Sequence, residues 1–232
     1  MTALDAFPST KTWPPRTPGS IQLYSYPTPN GVKVSLMLEE TGLPYDAWLV
    51  DFAKNDQQSP GFTAVSPNGK IPAILDLDGP GGQPLALFES GAILLYLAEK
   101  SGKFLPQEKK WQITQWLMFQ MGGIGPMFGQ FGFFHHYAGK AVEDPLPRDR
   151  YRKEATRLLK VLDDALEGQD WIAGEYSIAD MAIGPWLHGM MYHYKGADLI
   201  GWKDLKNVPG YFDRFMARPA VQRALNIPAV PK

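Results

Sequence analysis

Leu23-Tyr24-Ser25-Tyr26-Pro27-Thr28-Pro29-Asn30-Gly31 joins a strand to a helix within a few residues. The apolar alternation of Ile21 and Leu23 predicts a short strand from Ile21 to Ser25. Two prolines, a hydroxyl, an amide and a glycine follow, and then a helix-compatible segment from Val32 to Glu40. Pro29 suits a first helical turn, and Thr28 or Asn30 suits the cap before it. A hydroxyl and an amide thus stand beside backbone N–H groups that a helix leaves unpaired, a place that favours an anion. Val32, Val34, Leu36 and Leu38 also fit a period of two. The caps, with Gly42 and Pro44 beyond Thr41, select the helix.

Outward from there, Tyr45 to Asp51 reads as a second strand, and the polar segment Lys54 to Thr63 has room for one irregular helical turn. Asn68-Gly69 is a turn signal, and Ile71-Pro72 leads into a buried strand from Ala73 to Leu77. Gly79-Pro80-Gly81-Gly82 then reverses the chain so that Leu85 to Phe88 pairs back. Ser90 to Lys100 is a helix with Ile93, Leu94 and Leu97 inward, stopped by Gly102. This β-α-β-loop-β-β-α order predicts an α/β domain over residues 21–102. Beyond the linker Lys103-Phe104-Leu105-Pro106, residues 108–225 read as all helix. Trp111 to Met121 is broken or bent at Gly122-Gly123-Ile124-Gly125-Pro126, and Arg148 to Leu166 is long, charged and amphipathic. Ser177 to Tyr192, Val208 to Met216 and a short turn around Ala220 to Leu225 close the bundle. Residues 1–20 carry Pro8, Pro14, Pro15 and Pro18 without an apolar period, which predicts an irregular arm with Trp13 docked on the body.

The totals exclude several classes. A formal net charge of -1 in 232 residues offers nothing to a polyanion, so nucleic acid is not an expected partner. No apolar run approaches the roughly 18 residues that span a bilayer, and Met1 to Ser20 lacks the apolar core of a signal peptide. A cytoplasmic protein without membrane association is expected. The chain has no cysteine, which removes disulfide staples, thiolate zinc sites and a protein-borne redox thiol. Any sulfur chemistry here must use a sulfur brought in by a ligand. His135 and His136 are adjacent, and His188 and His193 are five apart. Neither pair has metal-ligand spacing, so no metal site is expected.

Four signatures carry a family resemblance: Thr28-Pro29-Asn30-Gly31 at a helix start, the turn Asn68-Gly69-Lys70-Ile71-Pro72-Ala73, Glu89-Ser90 opening a helix, and Ser177-Ile178-Ala179-Asp180 in the helical part. Together they resemble the soluble glutathione transferase superfamily. With Phe88-Glu89-Ser90-Gly91-Ala92-Ile93-Leu94-Leu95-Tyr96-Leu97-Ala98-Glu99-Lys100 and Gly122-Gly123-Ile124-Gly125-Pro126-Met127, the chain is similar to the bacterial Nu class. That class is in turn similar to the folded domain of the yeast prion-forming nitrogen regulator. The resemblance implies a thioredoxin-like N-terminal domain, an all-α C-terminal helical bundle domain, a homodimer, and glutathione as co-substrate without a metal. It further implies glutathione-dependent disulfide reduction. The alternatives are conjugation or peroxidase chemistry on a hydrophobic electrophile or hydroperoxide, and non-catalytic regulation.

On the resemblance, Thr28 and Asn30 are the thiol-activating pair; read alone, they are helix caps. A free thiol has a pKa near ~8.5. Charge-assisted hydrogen bonds to the thiolate, each about 1.5–3 kcal/mol, lower it by one or two units. Tyr24, Ser25 and Tyr26 compete for this role; Tyr24 is read as core, Ser25 as backbone-directed and Tyr26 as pocket rim. Ile71-Pro72 resembles the cis-proline of thioredoxin-like folds, which offers the backbone of Ile71 to the cysteinyl part of glutathione as a short added strand. Glu89 and Ser90, otherwise a helix start, are implied to hold the γ-glutamyl ammonium and carboxylate. Gln57 and Lys70 are candidates for the remaining backbone and the glycyl carboxylate. Arg150 is a candidate for reaching glutathione from the second domain, against the plain reading of a solvated charged helix face. The aromatic run Phe128 to Tyr137 falls where the family's second-substrate pocket is expected. Ser177-x-x-Asp180 is a capping box, worth about 1 kcal/mol.

Overall fold

Strand β1 (Ile21–Ser25) is buried at all of its positions, so it belongs inside a sheet and not at its edge. In the computed structural model, which describes residues 7–231, β1 pairs in parallel with β2 (Tyr45–Leu49) and antiparallel with β3 (Ala73–Asp76). The antiparallel hairpin partner of β3 is β4 (Leu85–Phe88). The sheet order is therefore β2-β1-β3-β4. The register matters for function. Tyr24, near the end of β1, sits opposite Ala73 at the start of β3, and Ala73 sits opposite Phe88 at the end of β4. The segments after β1, before β3 and after β4 consequently emerge at one end of the sheet.

Helix α2 (Pro29–Thr41) crosses from β1 to β2, and every residue from Gly31 to Leu38 is buried. A helix without an exposed face is a core helix. It contacts β1, α4 (Ser90–Ser101) and the C-terminal helix α10 (Pro219–Ala224). The chain divides into one unit running to Lys103 and rejoined from Pro219 onward, and a second from Phe104 to Arg218. This corrects the boundary expected near residue 225. The closing helix does not complete the bundle but lies in the first unit, where Ser35 Oγ donates to Ala224 O at 3.1 Å and Arg223 pairs with Glu39. Six residues are too few for periodicity to reveal which core Ala220, Val221 and Ala224 cover.

The N-terminal arm is more ordered than its prolines suggest. Ser9–Thr12 forms a short helix, α1. Trp13 is buried against Tyr24 and against Phe62 of α3 (Pro60–Thr63), with ring centroids 5.4 and 6.4 Å away. Residues 1–6 of the expected arm lie outside the described residues. Asp46 on β2 fastens the rest. Its carboxylate accepts from Arg16 N at 2.8 Å, Thr17 N at 2.9 Å, Ser20 Oγ at 3.0 Å and Gln22 Nε2 at 3.1 Å. Arg16 also stacks over Trp48 at 4.0 Å. Burial alone would push the Asp46 carboxyl up, but these donors overcome it and hold the pKa at about 2, below the ordinary 3.8. A depressed carboxyl stabilises the fold above its unfolded pKa, and that contribution fades as pH falls through the folded value. Asp46→Ala is therefore expected to cost about 2–3 kcal/mol at neutral pH. In urea unfolding the gap between variant and parent should close as pH drops from about 4 toward 2.

In the second unit, α5 (Lys110–Phe119) continues without a break through a π turn at Gln120–Ile124 into α6 (Gly125–His135). The glycines do not end the helix; the π turn lies immediately before Pro126, where the regular backbone ladder is already interrupted. Helix α7 (Pro145–Ala165) buries Leu158, Leu159 and Leu162. Helix α8 (Ile178–His188) opens with the expected capping box, Asp180 accepting from Ser177 N at 2.9 Å and from Ile172 N at 3.1 Å. Asp163 accepts the Asn207 and Val208 N–H groups at 2.7 and 3.0 Å, at the start of α9 (Val208–Met216). Of the aromatic run, Phe128 and Phe131 are core, whereas Phe133 and Tyr137 are exposed. No helix among the described residues is long and apolar enough to cross a membrane.

Candidate active site

The chain turns sharply after β1: Thr28 N donates to Tyr26 O at 2.7 Å. Thr28 then adopts an extended conformation, φ -95° and ψ 167°, and caps α2 by accepting the Gly31 N–H at 3.4 Å. Pro29 occupies the first helical turn. Capping uses a lone pair of the Thr28 oxygen and leaves its O–H proton to donate to a ligand. The cap and thiol-donor readings are thus compatible on one side chain. Gly31 is required here by space: a Cβ would lie 1.9 Å from the Tyr26 carbonyl oxygen.

The other two segments meet this one as the register dictates. A cleft of about 220 Å³ is lined by Asn30, Asn68, Lys70, Ile71, Pro72, Phe88, Glu89 and Ser90. The Ile71-Pro72 bond is cis. Ser66 ties the preceding turn, its Oγ donating to Lys70 O at 2.8 Å while Gly69 N donates to Ser66 O at 2.8 Å. Gly69 takes φ +63° within that turn, a conformation open to glycine at little cost. Glu89 holds φ 70° and ψ 111° just before α4. For a residue with a Cβ this costs on the order of 1–3 kcal/mol, and such strain concentrates where a side chain must be aimed. Glu89 is exposed and lines the cleft; Ser90 beside it is buried.

Asn30, Lys70, Ile71, Pro72, Glu89 and Ser90, all expected from sequence, therefore share one cleft. Thr28 stands at the cap beside Asn30, outside the lining. Gln57 also lies outside it, next to the turn: a Cβ on Gly69 would be 3.1 Å from the Gln57 carbonyl oxygen. The Gln57 amide donates to Asn55 Oδ1 at 2.8 Å, and its Oε1 is buried with no donor among the described residues. Arg150 is an exposed residue on α7 of the second unit. Of the competitors, Tyr24 is fully buried and its hydroxyl donates to Ser9 Oγ at 3.2 Å. Burial raises its pKa. Ser25 Oγ points to Tyr26 O at 3.4 Å, and Tyr26 stacks on Phe52 with centroids 4.7 Å apart. None of the three lines the cleft.

Sequence reasoning missed Asn68 and Phe88 on the lining, and Lys33 behind it. Lys33 is fully buried, and its Nζ donates to Ser90 Oγ at 3.2 Å. The signal was present: from Val32 to Leu38 the helix has no polar stripe wide enough to keep a lysine in water. Among the described residues no group of three or more His, Asp or Glu is placed to hold a metal ion.

The cleft combines a carboxylate, an ammonium, two amides, a hydroxyl and the backbone beside the cis proline. This donor set suits a small zwitterionic peptide, and the helix start beside it suits a thiolate. Sheet, crossing helix and cleft define a thioredoxin-like domain followed by a helical one. The family model described as the glutathione S-transferase N-terminal domain matches residues 19–99, and the C-terminal domain model matches residues 136–219. The chain belongs to the glutathione S-transferase family. It is 46% identical over 209 residues to the disulfide-bond oxidoreductase YfcG of Escherichia coli K12, covering 88% of this chain and 94% of that one. A glutathione transferase from Pseudomonas putida, solved with one glutathione disulfide bound per subunit, superimposes with TM-score 0.96 at 60% identity over 97% of this chain and 99% of that one. One from Burkholderia graminis, with two glutathione molecules per subunit, gives TM-score 0.97 at 56% identity over 100% and 98%.

Proposed function

We propose that this protein is a glutathione-dependent disulfide reductase of the Nu class, and that Thr28 and Asn30 hold the bound glutathione as its thiolate. The observation that carries the reading is the convergence of a capped helix start and the Ile71-Pro72, Glu89-Ser90 cleft at one end of the sheet. Similarity to an enzyme named as a disulfide-bond oxidoreductase, and to proteins solved with glutathione disulfide or two glutathiones, supports it.

Glu89 accepts the γ-glutamyl ammonium and Ser90 donates to the neighbouring carboxylate. Ile71 pairs its backbone with the cysteinyl residue, and Lys70 and Gln57 face the glycyl end. Arg150 is assigned a glutathione contact from the second domain on the family resemblance. The Thr28 O–H and the Asn30 amide donate to the sulfur. The thiolate attacks one sulfur of a disulfide. A new S–S bond forms as the old one breaks, and the electron pair leaves on the departing sulfur, which takes a proton from water. A second glutathione thiolate then attacks the bound glutathione sulfur of the mixed disulfide. Glutathione disulfide forms and the remaining substrate thiol is released. Two glutathiones are oxidised and one disulfide is reduced. This chemistry needs a reducing glutathione pool, so the working state proposed is a cytoplasmic homodimer, the assembly resting on the family resemblance.

The test is turnover of glutathione with a small symmetrical disulfide, set beside turnover with an aryl halide. Disulfide reduction in excess of conjugation is expected. Conjugation alone would assign the site to a transferase, and glutathione binding with neither activity would assign it to a regulator.

A further inference from the structure

We infer that Lys33 is a positioning residue for the γ-glutamyl carboxylate of the ligand, acting through Ser90 from behind the cleft. The inference rests on the reading of the cleft as a glutathione site. Lys33 is fully buried in α2, and its Nζ donates to Ser90 Oγ at 3.2 Å. Ser90 lines the cleft and Lys33 does not. A lysine donor occupies a lone pair of the hydroxyl oxygen, so toward a ligand carboxylate Ser90 acts as the donor. A carboxylate accepted by Ser90 would then sit one hydroxyl away from an ammonium in a medium that screens charge poorly. Burying a charged amine is costly unless something compensates it. Here burial pulls the Lys33 amine down to about 7, against the charge of the Glu89 carboxylate, which favours the protonated form. A ligand carboxylate supplies further compensation, so binding and protonation of Lys33 favour each other.

Of the elements packed on α2, α4 has the Glu89 carboxylate at its start, acting on this amine. Strand β1 is uncharged from Ile21 to Ser25, and Arg223, the charged residue of α10, pairs with Glu39 further along α2. The subsite is thus specific for an anion beside an ammonium, the α-amino-acid end of a γ-glutamyl peptide.

Binding of glutathione is compared with binding of γ-aminobutyryl-cysteinyl-glycine, which keeps the amine and the thiol but lacks the carboxylate. The unmodified protein should prefer glutathione by roughly tenfold or more near pH 6, and the preference should shrink as pH rises to about 9 and Lys33 loses its proton. Lys33→Met should bring the two ligands within about twofold of each other by weakening glutathione and leaving the analogue unchanged. Lys33→Gln, which keeps a donor without the charge, should fall between them. A full preference in Lys33→Met would overturn the inference. If that variant does not fold, a preference in the unmodified protein that is flat with pH overturns it equally. Binding of neither ligand by the unmodified protein would instead sink the glutathione reading on which the inference rests.

Discussion

Gly31→Ala is expected to lower stability by about 2–3 kcal/mol and to remove most turnover, although it places the better helix former inside a helix. Two effects oppose each other. At an open helical position, alanine gains about 1 kcal/mol over glycine. At Gly31 the new Cβ would lie 1.9 Å from the Tyr26 carbonyl oxygen and 2.6 Å from Ser25 Oγ. The hydroxyl can rotate away, but the carbonyl belongs to the backbone and already accepts the Thr28 N–H at 2.7 Å. Relieving the contact means moving the turn that sets Thr28, so the steric cost exceeds the propensity gain and the thiol donors shift with it. Urea unfolding and disulfide turnover should both register the change. A variant as stable and as active as the parent would show that the turn does not need the glycine. Gly122 is an internal control: a Cβ there meets nothing within 4 Å, so Gly122→Ala should keep the propensity gain and stabilise by up to about 1 kcal/mol.

The positions legible in the sequence were those whose local chemistry leaves few choices. Thr28-Pro29 states a helix start through a cap and a fixed φ, Asn68-Gly69 states a turn, and Ser177-x-x-Asp180 states a capping box, and each is where the sequence put it. The convergence on one cleft of the segments after β1, before β3 and after β4 follows from antiparallel pairing of β1 with β3 and of β3 with β4, which sequence order alone does not specify. Lys33 is easily missed because charge is ordinarily a surface signal; the hint against that is the largely apolar run from Val32 to Leu38, which the structure buries without a break. The placement of α10 in the first unit was illegible for a different reason. Its apolar face is a few small residues, and any apolar core accepts such a face equally well. Glu89 is a third kind of failure. Nothing in Phe88-Glu89-Ser90 signals a left-handed conformation, because local preference opposes it and tertiary pairing imposes it.

Thr28 carries the largest expected effect on chemistry with the smallest on stability. Its hydroxyl accepts from Gly31 N at 3.4 Å, a long cap bond. Loss of the cap in Thr28→Ala should therefore cost no more than about 1 kcal/mol. Loss of one charge-assisted hydrogen bond to the thiolate is worth about 1.5–3 kcal/mol, which is roughly ten- to a hundredfold in turnover at neutral pH. The sign with pH follows from what the donor does. A hydrogen bond to the thiolate lowers the thiol pKa, so its removal moves the rising limb of the pH–rate profile upward. The deficit should then narrow in alkaline solution, where the thiol ionises unaided. Thr28→Ser keeps both functions and should retain most activity. Thr28→Asp separates them, because aspartate caps a helix at least as well as threonine. Its charge, however, would face the thiolate with the wrong sign. That variant should be as stable as the parent and nearly inactive. The ultraviolet absorbance of bound thiolate, followed against pH, reads the shift directly. If Thr28→Asp keeps its turnover, or if the bound thiol of Thr28→Ala titrates where the parent's does, Thr28 serves the helix alone and the sulfur is ionised by other groups.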